Sequence, residues 1–397
     1  MCPPFVGAAT SQSTVLNGQI QLGDVFATQT LDVVNVTGTS TMITPATGNA
    51  FSGSVVVGSD AVVTSTQSLR ANVTTNATMN VTGSSGTTSI STASTGNSGE
   101  ANIFDGGHLT GTTTQTVGAF NVTALGDYHA DLAQADSVVS SSQAIGSSQG
   151  YGVEGSTAVV SVNQSSAALT QADGGGNLQY TAGSVVFSAL GTSNNVTAVG
   201  TYGSAVTVTA NQSMTGQRTQ ASVFTGAGNA QDITAQATTT GNNISVSNQG
   251  PYLEVNASQT NTAYTKAEAN LSSFEFGSAS SIAYGVGNSV MAGNIGSQVI
   301  LRNTQVNSGG GIEVISGFTG DTGYDAYSTA TAVGNAVTGF ACAACEGRMN
   351  VTNSQTNSAE VGALGGVAIG TSARSVSGVA AATGNTATFY VTSPSTQ

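Results

Sequence analysis

Two short marks return along most of the chain at a nearly constant step, and this repetition limits what the chain can fold into more than any single motif does. The first is an asparagine, as in Asn303-Thr304-Gln305, that falls at Asn163, Asn211, Asn256, Asn303 and Asn350 in steps of 48, 45, 47 and 47 residues. The second is a glycine, mostly followed by asparagine, at Gly48, Gly96, Gly146, Gly191, Gly241, Gly287, Gly334 and Gly384, in steps of 45 to 50 residues. Self-similarity at such a step is the signature of an array in which each unit packs on its neighbours. The 397 residues are therefore read as one elongated body rather than as two or three globular domains.

The residues between the marks select β-structure. Only 6% of the chain is charged and Lys266 is the single lysine, so helix formers are scarce. Disorder is excluded by the apolar share of 39%, with Val and Thr throughout. Residues 54–57, 158–162 and 205–209 have the length and β-branched content of strands, and Gly, Asn and Ser clusters separate such runs. Between Ala46 and Gly250 there is no proline, which suits continuous interior ladders.

These features predict an all-β, elongated β-solenoid of ~47-residue repeats. Taking ~18–30 residues per turn from related solenoids, each repeat makes two turns. About sixteen turns spaced ~4.8 Å apart then give a rod roughly 75–80 Å long. A four-strand antiparallel unit is the alternative. Residues 1–45 read as an N-terminal cap, 46–390 as the array and 391–397 as a tail. The marked glycines sit at turns. The marked asparagines form a side-chain ladder along the rod, and sequons such as Asn72-Val73-Thr74 and Asn350-Val351-Thr352 follow from composition.

A net charge of −13 with six Lys and Arg excludes nucleic acid and disfavours an anionic membrane surface. No run of 18 apolar residues marks a membrane span, and the start lacks the basic and apolar regions of a signal peptide, so an exported chain is expected to have lost one. Cys342 and Cys345 read as a local disulfide, with two buried thiols, a redox pair or half a zinc site as alternatives. Cys2 has no assigned role.

Catalytic chemistry is thin. His108 and His129 are the only imidazoles and neither lies in a Ser/His/Asp context. The chain is thus expected not to be an enzyme and to hold no cofactor. The carboxylates to inspect for a carbohydrate-active β-helix enzyme are Glu254, Glu268 and Glu275. Calcium is a minor candidate at 105–107, 173–177 and 321–325, which read as Gly-rich turns.

Residues 367–373 (Val-Ala-Ile-Gly-Thr-Ser-Ala) resemble the head repeat of trimeric autotransporter adhesins, where a small-apolar-Gly turn recurs every fourteen residues; Gly370 to Gly384 and Gly320 to Gly334 keep that step. In length, composition and repeat texture the whole chain is more similar to the holdfast anchor protein D family of stalked alphaproteobacteria. That resemblance implies an exported surface protein of the outer membrane that anchors an exopolysaccharide adhesive, beside a curlin-like partner or other envelope anchor proteins, and it carries over no functional residue. The expected function is a structural adhesin that binds polysaccharide by many weak contacts and self-associates into filaments through its open ends. A trimeric autotransporter-like or phage-fibre adhesin is the alternative.

Overall fold

A computed structural model describes residues 12–55, 58–342 and 347–392. Every described element is a strand, and every strand pairing is parallel. The chain winds as a solenoid whose coils stack in register one repeat apart: Gln12 pairs with Asp60, Ala205 with Tyr252, and Gln298 with Arg348.

Each coil contains one short strand and one long bent strand. The short strands are Gln12–Gln21, Asp60–Leu69, His108–Val117, Thr157–Ser166, Ala205–Met214, Tyr252–Asn261, Gln298–Asn307 and Arg348–Asn357, and they stack into an eight-stranded sheet. The long elements follow them: Val25–Val33 with Val36–Val55, Val73–Val81 with Ser84–Phe104, and then Asn121–Glu154, Leu169–Thr201, Arg218–Asn248, Tyr264–Asn294, Ile312–Cys342 and Val361–Thr392. Each long element has three legs. The pairing slips between the first and second, as between Tyr180 and Ser184, and the marked glycines other than Gly191 separate the second from the third.

Inward residues alternate with outward ones, so each leg contributes every second side chain to a core. First and second legs face each other around Tyr128, Phe187, Phe276 and Phe318. Short strands face third legs around Tyr151, Val208, Ile244 and Leu253. A small cluster including Leu69, Val73 and Val117 joins the two lobes at a waist. Turns between coils use left-handed residues, Asp105 with Gly106 and Tyr202 with Gly203 among them.

The β-solenoid expected from the sequence is observed, with one correction. Partners in adjacent coils are one whole repeat apart, so each repeat makes one wide, flattened turn rather than two. Eight turns spaced ~4.8 Å apart span about half the length expected. The small turns of related solenoids close around one core, whereas this coil encloses two.

The boundary expected at residue 45 is not a structural one. Residues 12–55 form a full coil on the common template, and Val36–Val55 runs straight through Pro45, which lies on the end coil where a missing donor is tolerated. At the other end, Val361–Thr392 carries the array two residues beyond the expected end at 390, and residues 393–397 lie outside the described part. The stretch resembling an adhesin head repeat is an ordinary first leg and bend of the last coil, because the winding period is set by the long repeat and not by fourteen residues.

Candidate functional site

The marked glycines stand where the coil is narrowest. A Cβ on Gly48 would meet Leu69 Cδ1 at 2.7 Å across the waist and the Gly96 carbonyl oxygen of the next coil at 2.6 Å. Gly96, Gly241, Gly287 and Gly334 likewise face the carbonyl oxygen of the following coil within 2.2–2.7 Å of that position, and Gly384 closes the column. Gly146 is followed in this column by Ser193, not by Gly191, which pairs instead with Ala144 and Thr239.

Beside the glycines runs a column of asparagines. Asn49 donates to Asn97 at 2.8 Å, Asn194 to Asn242, Asn242 to Asn288, Asn288 to Asn335 and Asn335 to Asn385, all at 2.7–2.8 Å. Each of these donors has a second amide bond to a backbone carbonyl across the waist, for example Asn288 to Val306 at 2.9 Å. Ser147 interrupts the column, and the Oδ1 of the following Asn194 is buried without a partner.

The opposite wall carries a glutamine column. Gln67, Gln115, Gln164, Gln212, Gln259, Gln305 and Gln355 each donate to the glutamine one coil earlier at 2.7–2.8 Å, starting from Gln19. Each gives its second amide hydrogen to a third-leg carbonyl, as Gln212 does to Asn243 at 2.8 Å. The two columns therefore run with opposite polarity: asparagines donate toward the C-terminal coil, glutamines toward the N-terminal coil.

The five asparagines expected to form one ladder divide among several columns. Asn163 and Asn211 are one rung, at 2.9 Å. Asn256 stacks on Arg302 and bonds Glu254, Asn303 donates to Asn353 at 2.8 Å, and Asn350 is paired with Ile300. Glu254, Glu268 and Glu275 are also kept apart. Glu254 lies on the short-strand face with Tyr252 and Arg302, Glu268 pairs with Lys266 at 2.7 Å on a first leg, and Glu275 sits at a bend. Cys342 is disulfide-bonded, and Cys345 lies outside the described residues.

A groove of about 730 Å³ lies on the outer face of the first legs and crosses several coils. Its floor exists because outward positions lack side chains: Gly175 follows Asp127 and precedes Phe224, Gly226 follows Asn177, and Gly317 follows Asn270. Phe224 stands in it with 54% of its surface exposed. Asp173 lines one side, its Oδ2 accepting from Gln171 and its Oδ1 buried without a partner. Burial pushes the Asp173 carboxyl above the usual carboxylate range, opposed by hydrogen bonds from Gln171 and Ser222 and by the charge of Arg218. Residues 173–177, read from sequence as a turn, are thus extended strand in the groove wall. Asp127, at the edge, meets His129 Nε2 at 2.8 Å.

The arrangement offers one aromatic face, carboxylates and several amides on a glycine floor. No cluster of His, Cys, Asp and Glu able to hold a metal occurs among the described residues. Residues 34–311, more than half of the chain, match the family described as holdfast attachment protein D. No curated protein and no solved structure matches the chain.

Proposed function

The chain belongs to the holdfast attachment protein D family, and from that premise we propose that it is a structural adhesin of the cell envelope that holds an adhesive polysaccharide through the groove on its first-leg face. The observation that carries this reading is the exposed Phe224, paired in register with Gly175, in a groove also lined by Asp173, Gln220 and Asn270. Sugar rings have apolar C–H faces that lie on aromatic rings, and equatorial hydroxyls that are met by carboxylates and amides. A groove that crosses successive coils matches an extended chain better than a compact small molecule.

Affinity at one groove is expected to be weak, and many copies bound to one polymer multiply it by avidity. The chain is placed at the outer surface, exported, beside envelope anchor proteins of the curlin-like kind, because an attachment protein must contact the adhesive outside and the envelope beneath. No described helix is long and apolar enough to cross a membrane; attachment to the envelope is assigned to such partners. The test is binding of purified adhesive polysaccharide to the immobilised full chain. Phe224→Ala is expected to lower affinity about tenfold, the usual cost of an aromatic contact; unchanged binding by a folded Phe224→Ala chain would remove the groove from this role.

A further inference from the structure

The edge of the rod where first legs bend into second legs carries another concavity, of about 480 Å³, that shares no residue with the groove. Two rows of residues build it, one residue from each successive coil. Asn229, Glu275, Thr322 and Thr371 stand in register in the first row, and Ala230, Phe276 and Gly323 in the second. The second row belongs to the core: Phe276 and Ala230 are each only 5% exposed, and the Phe276 ring meets Phe318 edge to face, with centroids 4.9 Å apart. Gly323 follows Phe276 in the next coil without a side chain, and a Cβ there would lie 2.3 Å from the ring. The pocket is therefore floored by core carbon and bare backbone.

Its surroundings are acidic. Glu275 lines it, Asp232 and Asp321 adjoin the lining residues Gln231 and Thr322, and all three carboxylates are exposed. Among the described residues, Arg374 is the one Lys or Arg placed in these bends, and it is already paired with Asp325. Tyr324, 56% exposed, also lines the pocket, and the Arg374 guanidinium lies over its ring at 5.5 Å.

We propose that this pocket is a docking site for a protein partner, and that the partner presents a basic segment carrying one bulky apolar side chain, leucine or aromatic. The proposal rests on the reading that proteins, and not the chain itself, hold it to the envelope. Two observations choose this occupant. A sugar ring needs an open aromatic face; Phe276 is sunk in the floor and one face of Tyr324 is taken by Arg374, so the concave apolar floor suits an inserted side chain. Three exposed carboxylates against one paired cation then favour Lys or Arg on either side of that anchor. The anchor supplies affinity, and the charges steer and orient the segment.

The test is fluorescence anisotropy of a labelled synthetic peptide of alternating Lys and Leu, titrated with the purified full chain. Binding is expected, weakening as salt rises, whereas a peptide of alternating Glu and Leu is expected not to bind. Glu275→Lys reverses an exposed charge and Thr322→Trp fills the mouth of the pocket. Each is expected to weaken binding of the Lys/Leu peptide about tenfold, the scale of one interface anchor. Phe224→Ala is expected to leave it unchanged, so that failure here and failure of the glycan groove are told apart. A photoreactive form of the peptide is expected to label residues 229–231 and 322–324 of the unaltered chain, which locates the site even if a variant fails to fold. Absence of binding, binding that neither folded variant weakens, or labelling confined to other residues would overturn the proposal. Displacement of the peptide by oligosaccharides of the adhesive would overturn it too, by making the pocket a second glycan site.

Discussion

Gln212 and Gln164 stand one coil apart and share a 2.8 Å amide hydrogen bond in the closed interior of the rod, where both side chains are almost wholly buried. A buried amide is costly unless each of its groups is paired. Here Gln164 provides the acceptor, the Asn243 carbonyl takes the second hydrogen, and Gln259 donates to Gln212 in turn. Such a rung fixes register, because a coil shifted by one residue would present an apolar or outward side chain in its place.

Replacing Gln212 by Leu strands three buried groups at once: Gln164 Oε1, the Asn243 carbonyl and the Gln259 amide. The expected loss is about 3 kcal/mol, at roughly 1 kcal/mol or more for each orphaned group. The same change at Gln19, on the end coil, orphans one buried group, the Gln67 amide, and is expected to cost only about 1 kcal/mol. Denaturant midpoints of the two variants measure the contrast.

Gly334→Ala is expected to destabilise by about 2–3 kcal/mol, the range for forcing atoms into a packed site. The new methyl would lie 2.2 Å from the Gly384 carbonyl oxygen and 2.6 Å from Asn357 Oδ1. Gly366 has open space around its Cβ position, and Gly366→Ala is expected to leave the melting temperature unchanged or slightly raised.

The groove carboxylate provides a pH test. Folding raises the Asp173 pKa above its ordinary value, so the group contributes stability when protonated and loses that contribution as pH rises through the folded pKa. Asp173→Asn removes the buried charge. At pH 7 it is expected to be more stable than the wild type. The difference is expected to close as pH falls below the ordinary carboxylate range. A gap that widens in acid would show that the charge of Asp173 is held by Arg218 rather than penalised by burial.

The repeat, the all-β class and the solenoid were legible because Gly334-Asn335 and its relatives mark a place where geometry admits almost no other residue. The turn count was not legible, since ~47 residues fit either two small coils or one wide coil, and only the pairing of Gln298 with Arg348 separates them. Gly191 looks like a mark but the column passes through Ser193-Asn194, because a local Gly-Thr pair says nothing about which residue faces the next coil. The glutamine column was within reach. Gln305 lies inside the Asn303-Thr304-Gln305 stretch, and the glutamines from Gln19 to Gln355 recur in steps of 46 to 50 residues through all eight coils. Fixing on Asn303 hid it, although Asn303 and Gln305 share the same inward face. The groove had no linear signature, because Phe224 meets Gly175 only after a full coil of intervening chain.

The most direct measurement of attachment is made on cells. Strains lacking this chain, and strains carrying it with Phe224→Ala, are compared for adhesive polysaccharide that stays on the cell after washing with that shed into the medium. Shedding in the null strain, with partial shedding in the Phe224→Ala strain at normal surface levels of the protein, is the expected result. Full retention of the adhesive by cells that lack the chain would contradict its role in attachment.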